Sequence, residues 1–129
     1  MKLSLLILSE PYSSQSSLSA LKYAQAAILA GHEIYRVFFY HSGVHTGSIL
    51  QTPQRDEPNL QHAWSELSQQ HGIDLVICIA AALKRGAIDQ EEANRYEKAF
   101  HNIEKPFELS GLGQLLDAQI NSDKTITFG

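Results

Sequence analysis

Apolar residues along the chain alternate between two periodicities, and the changes from one to the other divide it into strands and helices. Lys2 to Leu8 is nearly all apolar, the pattern of a strand covered on both faces. A polar loop, Ser9 to Ser14, follows. From Gln15 to Ala30 the apolar positions Leu18, Leu21, Ala24, Ile28 and Leu29 recur at helical spacing. Ser14, Ser16 or Ser17 is placed to cap that helix, and Gly31 to end it. Glu33 to Tyr40 reads as a second strand, carried by β-branched and aromatic side chains. Strand, helix and strand joined by short turns make a βαβ unit with parallel strands and a right-handed crossover.

Beyond this unit, His41 to His45 reads as a loop and Thr46 to Asn59 as a surface excursion broken by Pro53 and Pro58, with a short helical turn near Ser48 to Leu50. Leu60 to Gln70 predicts a helix with Leu60, Ala63, Trp64 and Leu67 inward, closed by Gly72. Asp74 to Ile79 predicts the third strand, and Ala80 to Lys84 a short helix stopped by Gly86. Ala87 to Phe100 reads as a charged helix, with Asp89 as N-cap and Glu92 as its capping-box partner. Phe107 to Leu109 predicts a brief strand. Ser110 is placed to cap a last helix running to Ile120, with Leu112, Leu115, Leu116 and Ile120 inward. Asp123 to Phe128 alternates as a final strand.

Alternating strands and helices predict a single α/β domain over residues 1–129, with a mainly parallel central sheet of five strands flanked by helices. In such sheets function gathers at the carboxyl ends of the strands. The Ser9–Ser14 loop, the His41–His45 loop and Cys78 are all expected at that edge.

Composition narrows the function. With 43% apolar and 19% charged residues the chain is globular in character. Its formal net charge is −4 and it has no basic stripe, which argues against a direct grip on nucleic acid. No apolar run is long enough to span a bilayer; Leu3 to Leu8, although preceded by Lys2, fits a buried strand better than a signal peptide. A single cysteine excludes an internal disulfide and fits a reducing, cytoplasmic setting.

That cysteine is the chemical centre of the reading. Cys78 ends an apolar strand and precedes small residues, with Lys84 and Arg85 within two turns. A helix N-terminus and nearby cations favour the thiolate, the nucleophilic form. The amides of Ala80 to Ala82 are expected to point at the sulfur, and Lys84 and Arg85 to support it electrostatically. The competing reading is packing, because free cysteine is among the most buried residue types. Either cation can equally serve the carbonyl end of its own short helix. The six histidines show no diagnostic spacing to Cys78. His41 and His45 are four apart but flank Gly43, with no third metal ligand in view, and read as solvated loop residues. No phosphate-cradling glycine motif is present, Ser110-Gly111-Leu112-Gly113 being only a partial echo.

Several blocks nevertheless resemble a known family: Phe38 to Val44, Asp56-Glu57, Ala63-Trp64, Gln70 to Gly72, Ile77 to Gly86 and Leu109 to Gly113. They are similar, in order and over essentially the whole chain, to sulfurtransferase subunits of the DsrE-like (TusBCD) family. The resemblance implies a small α/β domain that carries sulfur as a persulfide on Cys78, with no metal or cofactor. It implies TusB- and TusC-like partner subunits in a heterohexamer, a TusA-like sulfur donor and a TusE-like acceptor. The end use it implies is 2-thiolation of the wobble uridine of transfer RNA. Two other outcomes stay open: a subunit of a sulfur-oxidation relay, or a non-catalytic subunit whose cysteine is only packing.

Overall fold

The computed structural model describes all residues, Met1 to Gly129. Five strands form one sheet: β1 (Lys2–Ile7), β2 (Glu33–Phe39), β3 (Asp74–Cys78), β4 (Phe107–Ser110) and β5 (Lys124–Phe128). Their order is β4-β3-β2-β1-β5 and every neighbouring pair is parallel. Five helices connect them: α1 (Ser16–Leu29), α2 (Leu60–His71), α3 (Ile79–Leu83), α4 (Gln90–Arg95) and α5 (Gly113–Asn121). The predicted fold class therefore holds.

Register sorts side chains between the two faces, because paired residues of parallel strands point the same way. Leu5 pairs with Val37, Val37 with Leu75, and Leu75 with Phe107. This set faces α1 and α2: Phe39 meets the Trp64 ring edge-on at 5.9 Å, and Tyr23 of α1 packs on Phe128 of β5. Trp64, Leu5, Val37, Phe39 and Leu75 are wholly buried there. We call this the closed face.

The alternate positions Ser4, Arg36, Asp74, Phe38, Val76 and Cys78 face the other way. Only α5 lies over them. The chain steps from β1 through β4 in one direction and then returns across the sheet to β5, which places the last crossover on the opposite side. A polar clamp fastens α5. Arg36 Nε donates to Asp74 at 2.6 Å, while its Nη1 donates to Asp117 and to the Gln114 carbonyl, each at 2.8 Å. Tyr35 donates its hydroxyl to Asp117 at 2.7 Å. The Tyr35 and Arg36 hydrogen bonds hold the Asp117 carboxyl below the usual carboxylate range, and the same contact raises the Tyr35 phenol. Burial alone lowers the Arg36 guanidinium, but its bonds to Asp74 and Asp117 outweigh that and raise it.

Several sequence expectations fail locally. The charged helix from Ala87 shrinks to Gln90–Arg95. Asp89 caps it by accepting from the Glu92 amide at 2.9 Å, but Glu92 turns its carboxylate to Arg95 instead of closing the box. Only Glu92 and Ala93 are buried in it, too little apolar surface to carry more turns, and Glu97 leaves with φ of 56°. Of the three serines expected to cap α1, only Ser14 reaches its start, accepting from the Ser16 amide at 3.3 Å, while the N-cap position itself is Gln15. Ser17 bonds the Ser9 carbonyl instead. Ser110 belongs to β4, and Leu112 stands at the start of α5.

The largest departures concern two surfaces. Leu29 is exposed at the end of α1. In α5, Leu112, Leu116 and Ile120 are 50%, 58% and 72% exposed, and Ala118 is the one buried residue. Their helical spacing is real, but the stripe faces solvent rather than the sheet.

Candidate active site around Cys78

Cys78 is the last residue of β3 and the N-cap of α3, with φ of −60° and ψ of 117°. The strand carries it to the carboxyl edge in an extended conformation, and the helix turns away at once. Its register partner is Ser110 on β4, and its side chain belongs to the α5 face. Cys78 is 3% exposed and contacts the core. It also lines a cavity of about 350 Å³ walled by Tyr40, His41, Ile79 to Ala81, Lys84, Arg85, Gly111 and Leu112. Cys78 is therefore both a core residue and part of the wall of a pocket.

The strand ends converge for simple reasons. β2 delivers Tyr40, β3 delivers Cys78, and β4 passes through Gly111 and Leu112 into α5. Small residues after Cys78 keep the wall low: Ala80 is exposed, and Ala81 and Ala82 are buried beneath it. The expected amide contact to sulfur is absent, since no side-chain cap bond forms at the start of α3. That helix is only five residues long, and the cysteine side chain follows the sheet face into the cavity instead.

The two cations divide. Both line the cavity, but Arg85 donates Nη1 to the Ala81 carbonyl at 3.1 Å and so closes the end of its own helix. Lys84 is exposed and makes no such bond. No carboxylate lines the cavity, so its charged groups are cationic in a chain of net charge −4.

The stretch expected as a loop at His41 is a 3-10 helix, His41–Gly47, with Gly43, Val44, Thr46 and Gly47 buried. It lies over the carboxyl edge because both glycines allow close approach. A Cβ on Gly43 would overlap the Ile7 carbonyl oxygen, and one on Gly47 would strike the Ile77 side chain. The helical turn anticipated at Ser48 to Leu50 therefore comes earlier, and Ser48 instead bridges to Ile103. His41 has φ of 49° and stacks on Tyr40 at 4.3 Å and 16°. His45 lies outside the cavity, so the pair forms no shared site. The Ser9–Ser14 loop also stays apart. Its Tyr12 hydroxyl donates to the Pro58 carbonyl at 3.0 Å and accepts from the Leu60 amide at 3.1 Å, tying the loop to α2. Glu10 there accepts only from Ser13.

Sequence reasoning missed Tyr40 and Leu112 as walls of the site. Tyr40 had a signal, as the third aromatic in a row at a strand end. Leu112 had none short of the topology.

Comparison with known proteins agrees with this geometry. Residues 1–128 match the model of the DsrE/DsrF-like family. A protein of Allochromatium vinosum named sulfurtransferase DsrE is 46% identical over 129 residues, covering 100% of this chain and 99% of that one. A sulfurtransferase TusD homolog of Pseudomonas aeruginosa is 46% identical over 120 residues, covering 93% and 92%. Sulfurtransferase TusD of Salmonella enteritidis is 42% identical over 128 residues, covering 99% and 100%. The crystal structure of the ychN protein from E. coli superposes with a TM-score of 0.78 at 22% identity over 99% of both chains, a likeness of fold. With family model and full-length relatives in agreement, the chain belongs to the DsrE/DsrF-like family, as one of its sulfurtransferases.

Proposed function

We propose that the protein is a sulfur-relay subunit in which Cys78 accepts and donates sulfur as a persulfide. One observation carries the reading: the single sulfur nucleophile of the chain lies on the wall of a cavity whose charged residues are cationic. A thiolate attacks the outer sulfur of a donor persulfide, the donor's S–S bond breaks, and its thiolate leaves. The acceptor's thiol then repeats the step on Cys78. The exchange is isoelectronic at sulfur and draws on no metal or nucleotide. Lys84, lacking an internal partner, supports the anionic forms, whereas Arg85 mainly steadies α3.

The relatives named TusD favour a TusA-like donor, a TusE-like acceptor and wobble-uridine thiolation in the cytoplasm, with TusB- and TusC-like subunits in a heterohexamer. The exposed stripe of α5 supports assembly. Leu112, Leu116 and Ile120 lie one turn apart on an uncharged face, and Leu112 also walls the cavity. A second reading, a sulfur-oxidation relay, is supported by the equally similar relative named DsrE. Loss of thiolated uridine in a deletion strain is the expected result; unchanged uridine thiolation would favour the second pathway. Against the packing role for Cys78, the cavity predicts that the thiol reacts with iodoacetamide in the folded protein. Protection equal to that of a sealed core would restore that role.

A further inference from the structure

We propose that His41 is the proton-transfer residue of this site. Its imidazole takes the Cys78 thiol proton as sulfur is accepted and returns it to the thiolate that leaves. The inference rests on the reading of Cys78 as a persulfide carrier and adds a second catalytic group to it.

His41 lines the same cavity as Cys78. Its φ of 49° lies in the left-handed region, which a residue other than glycine enters at a cost and which concentrates at functional sites. The turn is held from both sides. The Gly43 amide donates to the Tyr40 carbonyl at 2.9 Å, and Gly43 packs on the Ile7 carbonyl. The ring is held flat against Tyr40. His32, His62 and His101 each face an ionisable partner, at 3.2, 3.0 and 3.3 Å. His41, like His45 and His71, makes no side-chain hydrogen bond in the chain, and of these three it alone lines the cavity.

The groups that line the cavity with His41 come from three elements. Lys84 and Arg85 lie at the end of α3, Tyr40 follows β2, and Cys78 ends β3; the entry to α5 adds only Gly111 and Leu112. An ammonium or guanidinium holds its proton too firmly to act as a base near neutrality, and no carboxylate is at hand. Imidazole is the side chain of this set suited to passing a proton in both directions.

The balanced step is Cys78–SH plus R–S–SH giving Cys78–S–SH plus R–SH. The thiol proton moves to His41, the Cys78 sulfur bonds the outer sulfur of the donor, and the donor S–S pair departs on R–S⁻. His41 then returns the proton to R–S⁻ and is neutral again. No oxidant or reductant is consumed.

The test uses glutathione persulfide as donor and single-turnover loading of Cys78, read by mass spectrometry from about pH 5 to about 8. His41→Asn suits the backbone, since asparagine tolerates positive φ. It should load about a hundredfold more slowly near neutrality. His41→Gly should be slow in the same way and recover when imidazole is added, a rescue that a purely structural role would not give. Loading by His41→Asn within about twofold of wild type at every pH would overturn the role of His41 alone. A wild-type chain that never loads Cys78 would sink the persulfide reading and this inference with it.

Discussion

On the closed face of the sheet, α1 and α2 bury Leu5, Val37, Phe39 and Leu75 beneath Trp64, and aromatic rings meet edge to face. On the other face α5 lies alone, buries only Ala118 of its own residues and is fastened by Arg36, Asp74 and Asp117. Cys78 projects from the second face and Trp64 packs on the first. The contrast teaches where the chain has spent its apolar surface. One face stabilises the domain and is finished. The other leaves a cationic cavity beside an apolar stripe, an arrangement that makes sense when something docks there.

The sharpest way to break this comparison is to cut into each face in turn. Trp64→Ala should lower unfolding free energy by about 3–5 kcal/mol, because a wholly buried indole leaves a cavity against Phe39. Chemical denaturation checks it, and a loss under ~1 kcal/mol would mean that the closed face is not the main source of stability.

Next comes the clamp. Arg36→Met removes three charge-assisted or carbonyl contacts and should cost about 2 kcal/mol, with amide exchange rising in α5 before the sheet. The same clamp carries a pH dependence of definite sign. Asp117 is held below its ordinary range in the folded state, so its contribution is present above the ordinary carboxylate pKa and is lost as pH falls through the lowered value. Protection of α5 should therefore fade on acidification in the wild type and vary less in Arg36→Met. Uniform loss over the whole sheet would contradict the division.

The smallest effect on stability belongs to the stripe. Leu116→Ser replaces a side chain that is 58% exposed and should change stability by no more than about 0.5 kcal/mol. It should weaken assembly with partner subunits, read by sedimentation of the co-expressed complex. An unchanged complex would leave the stripe without that role.

The fold was legible because β1, β2 and β3 are covered on both faces, and buried strands advertise themselves as short apolar runs between polar turns. Helix α2 was legible because the apolar spacing around Trp64 and the stop at Gly72, with φ of 66°, agree with one another; the Asn59 cap, accepting from the His62 amide at 3.1 Å, went unread. Helix α5 was misread for a physical reason. An amphipathic pattern records that one side of a helix avoids water, but not whether a sheet or another chain supplies the cover. Leu112, Leu116 and Ile120 satisfied the pattern and still face outward. The 3-10 helix at His41 was hidden because it depends on Gly43 reaching the Ile7 carbonyl, a contact between segments far apart in sequence. For the same reason Cys78 stood out by its uniqueness, whereas the cavity whose wall it shares with His41 became visible only with the strand order.

The central claim is tested most directly by incubating the folded wild-type chain and Cys78→Ser with an isotopically labelled persulfide donor and mapping the label by mass spectrometry. The account predicts one added sulfur on the peptide containing Cys78, transferable to an acceptor thiol, and none on the serine variant, which should retain its fold. Label on the variant, or a wild-type Cys78 that stays unlabelled while the donor is consumed elsewhere, would contradict it.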